Sequence, residues 1–150
     1  LIQELVRVVK PGGLIALLAW SSEQLLPGYP ELEARLRATT AGIAPFPKGM
    51  NPVFHFSRAL GWFREADLLN CSVHTLVADA YAPLLDHQRK ALTALFEMRW
   101  AGVKSELSTE DWDVYKRICL PESTNFILDH PDYYAFFTYS LFQGRVGEVS

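Results

Sequence analysis

At 150 residues the chain is about one ordinary domain, long enough to bury a sizeable core. Its net charge is −3, and basic residues are scattered singly or in pairs such as Arg89-Lys90, so there is no electrostatic case for nucleic acid or an anionic membrane surface. The longest apolar run, Leu14 to Trp20, is far short of the roughly 20 residues of a membrane span. Cys71 and Cys119 share no CxxC or Cys/His spacing, which argues against zinc; reduced, buried thiols of a cytoplasmic protein are expected rather than a disulfide.

Taken in order, Leu1, Leu5 and Val8 recur at helical spacing, with Ile2, Val6 and Val9 on the adjoining stripe. Pro11 stops this helix, and Gly12-Gly13 reverse the chain into a strand, Leu14 to Trp20, that is apolar on both faces. Such a strand suits the middle of a parallel sheet with helices on both sides. Ser21-Ser22 are expected to cap a short helical turn. Pro30 to Ala38 reads as a helix with Leu32, Leu36 and the stem of Arg35 on one side. The stretch from Thr39 to Phe56, broken by Gly42, Pro45, Pro47, Gly49 and Pro52, reads as an irregular loop folding over a site.

Ser57 is the expected N-cap of a helix reaching Leu69, and a strand follows from Ser72 to Tyr81. The strongest helical pattern is Leu84 to Ala101, where Leu85, Leu92, Leu95, Phe96 and Trp100 keep i, i+3, i+4 spacing. Ser108-Thr109-Glu110-Asp111 resembles a capping box opening a helix to about Leu120. Pro121 is expected to begin another short helix closed by His130-Pro131, and Tyr133 to Phe142 is a final aromatic strand ended by Gly144-Arg145.

Leu5-Val6-Arg7-Val8-Val9-Lys10-Pro11-Gly12-Gly13-Leu14-Ile15 resembles the RVLKPGG stretch of class I S-adenosylmethionine-dependent methyltransferases, of the type 11, menaquinone-biosynthesis-like kind. In that family the stretch joins a helix to the fifth strand of a seven-stranded sheet, and the seventh strand is inserted antiparallel between the fifth and sixth. The resemblance implies an α/β fold: the C-terminal part of a Rossmann-like seven-stranded methyltransferase sheet, with a helical insert between its last two strands. It divides the chain into the C-terminal half of the core (1–83), a helical cap (84–132) and the returning strand (133–150). The family's glycine-rich cofactor loop and the acidic residue that holds the ribose have no counterpart here. The chain also starts Leu-Ile-Gln-Glu without an initiator Met, so it is expected either to have lost its start or to belong to something longer.

The implied activity is methyl transfer from S-adenosylmethionine to a small organic acceptor, by a cytoplasmic enzyme with no nucleic acid or membrane partner and with homo-oligomerisation expected. This chain would supply the substrate-side half and be inactive alone. Ligands in open α/β sheets bind beyond the carboxyl ends of the strands, which makes Trp20 and Ser21 candidate substrate contacts. Tyr29, Phe46 and Phe54 are aromatic pocket candidates from the long loops, and His55 is the candidate general base, since imidazole titrates near neutrality. No cofactor-binding residue and no metal ligand is identified. Two other readings compete: a non-catalytic oligomerisation or binding module, and half of a nicotinamide-dependent Rossmann enzyme. A last strand antiparallel to its neighbours favours the methyltransferase, and a parallel one the dehydrogenase.

Overall fold

A computed structural model describes residues 1–147. It is a mixed α/β chain whose described residues hold one sheet of three strands, β1 (Leu14–Gln24), β2 (Leu69–Tyr81) and β3 (Tyr134–Arg145), in the order β1-β3-β2. Five α-helices accompany them: α1 (Ile2–Val8), α2 (Pro30–Arg37), α3 (Ala59–Glu65), α4 (Asp86–Trp100) and α5 (Thr109–Cys119). Among the described residues, no helix is long and apolar enough to cross a membrane. A seven-stranded sheet is not what these residues build; three strands are.

Polar contacts fix the register. The Gly12 amide donates to the Val146 carbonyl, and the Val146 amide donates back to Gly13, each at 2.9 Å. Further along, the Ser21 hydroxyl meets the Thr138 carbonyl at 3.1 Å. On the other side Gln143 Nε2 donates to Ser72 Oγ at 3.2 Å, and the Ala82 amide to the Tyr133 carbonyl at 2.9 Å. In both pairs the numbering rises on one strand as it falls on the other. β3 is therefore antiparallel to both neighbours, and β1 and β2 run parallel to each other without pairing.

The chain divides into two compact units. The first comprises Leu1–Ser22, Met50–Ala78 and residues 137–147, with a core of Ile2, Ile15, Ala59, Phe63, Leu68 and Phe142. Its Pro-Gly-Gly turn depends on the absence of a side chain at Gly13. A Cβ there would stand 2.5 Å from Val9 Cγ1 and 2.7 Å from the Lys10 carbonyl oxygen. Gly12 sits at φ +75°, where only glycine is unstrained. Arg145 Nη1 donates to the Gly12 carbonyl at 2.9 Å and ties the turn to the end of β3.

Several expectations are corrected in this unit. β1 is not buried on both faces: Ile15 is 3% exposed, but Leu14 and Leu18 on the opposite face are 51% and 62% exposed. The helices pack on one face only, with Phe142 beside Ile15 in the shared core. Ser21-Ser22 cap no helical turn; both lie in β1, because the Ser21 hydroxyl completes a rung to Thr138. The expected helix from Ser57 to Leu69 is α3 alone, preceded by a 3-10 turn at Phe56–Arg58. Asp67 and Asn70 adopt φ of 53° and 52°, a left-handed region that short polar side chains tolerate, so the helix ends and β2 starts early. Cys71 is half-buried rather than buried, and no disulfide joins it to the buried Cys119.

The second unit comprises Glu23–Gly49 and Asp79–Phe136. α4 buries Leu92, Phe96 and Trp100, with the last two rings stacked at 5.4 Å. α5 buries Tyr115, Ile118 and Cys119, and the Ser108 hydroxyl caps it by accepting the Asp111 amide at 3.1 Å. In α2 the inward residues are Leu32, Glu33 and Leu36. The Arg35 stem is not among them, because its guanidinium is drawn outward to Asp111 at 2.7 Å and Glu31 at 3.0 Å. The helix expected after Pro121 is absent. Ser123 Oγ instead accepts the Asn125 amide and donates to the Arg117 carbonyl, a local loop that defers helical geometry to a single 3-10 turn at Ile127–Asp129.

Candidate functional site

The carboxyl-terminal stretch of β1 carries an aromatic cluster. Alternation along the strand puts Trp20 on the sheet face away from Phe142, and the same alternation on β3 puts Phe137 and Tyr139 beneath it. The Trp20 ring lies 5.4 Å from Phe137 and 5.5 Å from Tyr139, and those two meet edge to face at 6.3 Å. All three are half-buried. Ser21, one residue on, faces the other way, and its hydroxyl is held by Thr138 at 3.0 Å. Of these two candidates, only Trp20 presents a surface on the aromatic face. Phe137 and Tyr139 were not legible as site residues, because their approach to Trp20 depends on pairing across more than a hundred residues of chain; their period-two spacing on an aromatic strand was the available signal.

His55 and Phe54 belong to the same unit but stand elsewhere. His55 Nδ1 lies 2.7 Å from Ser57 Oγ and accepts from the Ser57 amide at 3.3 Å, capping the 3-10 turn that follows. The imidazole packs 4.5 Å from Phe56, which meets Phe142 on the core side of the sheet. Trp20 is on the opposite side, so the structure does not bring His55 to the aromatic cluster. Phe54 lines an apolar groove of about 380 Å³ with Ile2, Trp62 and Ala66, where Trp62 Nε1 donates to the Val53 carbonyl at 2.7 Å.

Tyr29 and Phe46 lie in the second unit. Half-buried Tyr29 borders a groove of about 670 Å³ between α2 and α5, whose wall includes Arg35, Asp111 and Arg117. Phe46 is half-buried in the turns before Pro47, its amide donating to the Ile43 carbonyl at 2.9 Å.

The same unit buries two acids that sequence inspection missed. Glu33 is 1% exposed and accepts the Leu25 amide at 2.7 Å and the Leu26 amide at 3.2 Å. Burial pushes its carboxyl above the usual range, while the two amides and Arg37 act against that and Glu23 adds to it. Glu23 is paired with Arg99 at 2.5 Å. Nearby, burial above all, followed by the charge of Glu33, raises the Tyr133 hydroxyl, which donates to the Leu25 carbonyl at 3.1 Å. These are structural duties: Glu33 holds the chain as it leaves β1.

No family model matches the chain, and no curated protein matches its sequence.

The described residues do not fit a cradle for S-adenosylmethionine. The paired glycines, Gly12-Gly13, stand at the amino end of β1, whereas cofactors in open α/β sheets sit beyond the carboxyl ends. At the carboxyl end the chain passes to α2, whose first turn carries Glu31 and Glu33 and offers no glycine-rich approach. Among the described residues, no group of three or more His, Cys, Asp or Glu side chains could hold a metal ion.

Proposed function

We propose that this chain supplies the acceptor side of an S-adenosylmethionine-dependent methyltransferase acting on a small organic molecule, and that it is inactive alone. The observation that carries the reading is the strand arrangement: β3 lies antiparallel between two strands that are parallel to each other, and a Lys-Pro-Gly-Gly turn opens the first of them. An antiparallel last strand favours this reading over half of a nicotinamide-dependent enzyme. The residue on which the acceptor would rest is Trp20, with Phe137 and Tyr139 extending the surface. Half-buried aromatic rings of this kind suit an apolar or aromatic acceptor, which they hold and shield from water. No step of methyl transfer is assigned to residues of this chain, since they build no cofactor cradle.

The exposed apolar face of β1, Leu14 and Leu18, favours a second reading as a non-catalytic association module. One set of measurements separates the two. Titration calorimetry of this chain with S-adenosylmethionine should give no heat of binding. The full-length gene product should transfer radiolabelled methyl groups to small aromatic acceptors, and Trp20→Ala should raise KM for the acceptor. A micromolar constant for the chain alone would refute the half-site assignment. Absence of methyl transfer by the full-length product, with a concentration-dependent dimer in light scattering, would leave the association module.

A further inference from the structure

The outer edge of β2 is open: in the order β1-β3-β2 it has β3 on one side and no strand of the described residues on the other. A free edge presents a row of unpaired amides and carbonyls, which soluble proteins ordinarily guard with a lysine, a proline, a bulge or a short strand. β2 is long, at 13 residues, and Leu69 to Ala78 holds no Asp, Glu, Lys, Arg or Pro. Every residue from Val73 to Asp79 is exposed, so neither face is covered there. The pairing with β3 fixes which backbone groups reach the open edge. The Ala82 amide donates to the Tyr133 carbonyl, and Ser72 Oγ accepts from Gln143 Nε2 the same distance along each strand. A Cβ on Gly144 would stand 3.2 Å from Cys71 Sγ, which agrees with the same register. Even-numbered residues of β2 therefore turn their N–H and C=O groups to β3, and Val73, Thr75 and Val77 turn theirs outward.

This edge is complementary to itself. Thr75 is the midpoint of β2, and it is one of the residues whose bonding groups point outward. A two-fold axis beside it would lay a second copy antiparallel in full overlap. Thr75 then faces Thr75 of the second copy, Val73 faces Val77, and on the other side of the sheet His74 faces Leu76. Paired β-branched side chains and opposed threonines are favourable cross-strand neighbours. Leu76 and Val77, now 51% and 69% exposed, would lose contact with water. Charge agrees with this occupant. The chain carries a net charge of −3, yet the first acid along β2, Asp79, would face Cys71 and not its own counterpart. No like charges of the two strands meet across the axis, and every outward backbone group from Val73 to Val77 gains a partner.

We propose that two copies of this chain pair through their β2 edges, Thr75 against Thr75, and join their sheets into one of six strands. The pairing rests neither on the methyltransferase reading nor on the open face of β1. Sedimentation velocity from micromolar to millimolar concentration should show a monomer–dimer equilibrium with a Kd on the order of tens of micromolar, as suits a small interface. Thr75→Lys changes an exposed side chain, so circular dichroism should be unaltered, but it opposes two ammonium groups and should weaken the dimer about tenfold. Thr75→Cys should yield a disulfide-linked dimer under mild oxidation, beyond any formed by the parent. Opposed residues of a hydrogen-bonded pair stand about 5.5 Å apart at Cα, within the roughly 4.4–6.8 Å that a disulfide spans. Val77→Cys, which would face Val73, should stay unlinked. A monomer at every concentration, a dimer indifferent to Thr75→Lys, or equal cross-linking of the two cysteine variants would overturn the assignment. Loss of the dimer in Leu18→Ser but not in Thr75→Lys would overturn it as well, by placing the association on β1.

Discussion

Glu33→Gln isolates the contribution of a buried carboxylate that holds the chain where it leaves β1. The substitution keeps the shape of the side chain and its bond to the Leu25 amide at 2.7 Å, but turns an NH2 group towards the Leu26 amide, now 3.2 Å from a carboxylate oxygen. Leaving that buried donor unsatisfied costs about 1–3 kcal/mol. Relief of the buried charge offsets part of this, so a net loss of about 1–2 kcal/mol and a fall in Tm of roughly 2–8 °C are expected. The pH dependence is the sharper test. Burial raises the Glu33 carboxyl above its ordinary value, so the folded state binds more protons than the unfolded state from the ordinary carboxylate range upward. The contribution of Glu33 to stability therefore falls as pH rises through that window. Glutamine does not titrate, so the deficit of the variant should be larger at pH 5 than at pH 7. Urea unfolding followed by circular dichroism at both values measures it. A deficit that grows with pH, or equal midpoints for the two proteins, would refute the reasoning.

Arg99→Ala removes the partner of Glu23, whose side chain is 4% exposed, and should cost about 3 kcal/mol in urea unfolding; a loss under 1 kcal/mol would mean that Glu23 is solvated. Gly13→Ala pushes a methyl group against the Lys10 carbonyl at 2.7 Å and should lower stability by about 1–3 kcal/mol, read as a drop in Tm; an unchanged Tm would show that the Pro-Gly-Gly turn opens freely. Leu18→Ser alters a side chain 62% exposed on the open face of β1 and should change stability by no more than about 0.5 kcal/mol. A loss above 2 kcal/mol would show that this face is covered in solution.

What could be read from the sequence was local. The turn at Pro11-Gly12-Gly13, the Ser108 cap and the spacing of Leu92, Phe96 and Trp100 depend on neighbours a few residues away, and each stands in the structure where the pattern put it. Element ends were less legible. Ser21-Ser22 carry the residue types of a helix cap, and only Thr138, 117 residues on, makes them strand. Nothing before Leu69 announces that Asp67 turns left-handed and ends α3. The burial of Leu14 and Leu18 was misjudged because an apolar side chain signals the capacity to be covered, not the presence of a cover. Among the site residues, Trp20 acquired aromatic neighbours and His55 acquired Ser57. Glu33 was hidden because a glutamate on a charged helix looks solvated until the amides it serves, seven and eight residues earlier, are located in space.

The central position of β3 governs the order in which the sheet can be assembled. Its contacts with β1 and with the turn ahead of it span 117 to 133 residues, and the Gln143–Ser72 bond to β2 spans 71. Since β1 and β2 never pair with each other, neither has a partner until the third strand has left the ribosome. Two edge strands bearing Leu14, Leu18, Leu76 and Val77 on open surfaces must wait through synthesis of the helical segment between them and β3. Such long-range closure is slow, and it exposes the nascent chain to edge-to-edge association in the interval. A stop codon ahead of Tyr134 would remove both ladders at once, and the sheet with them.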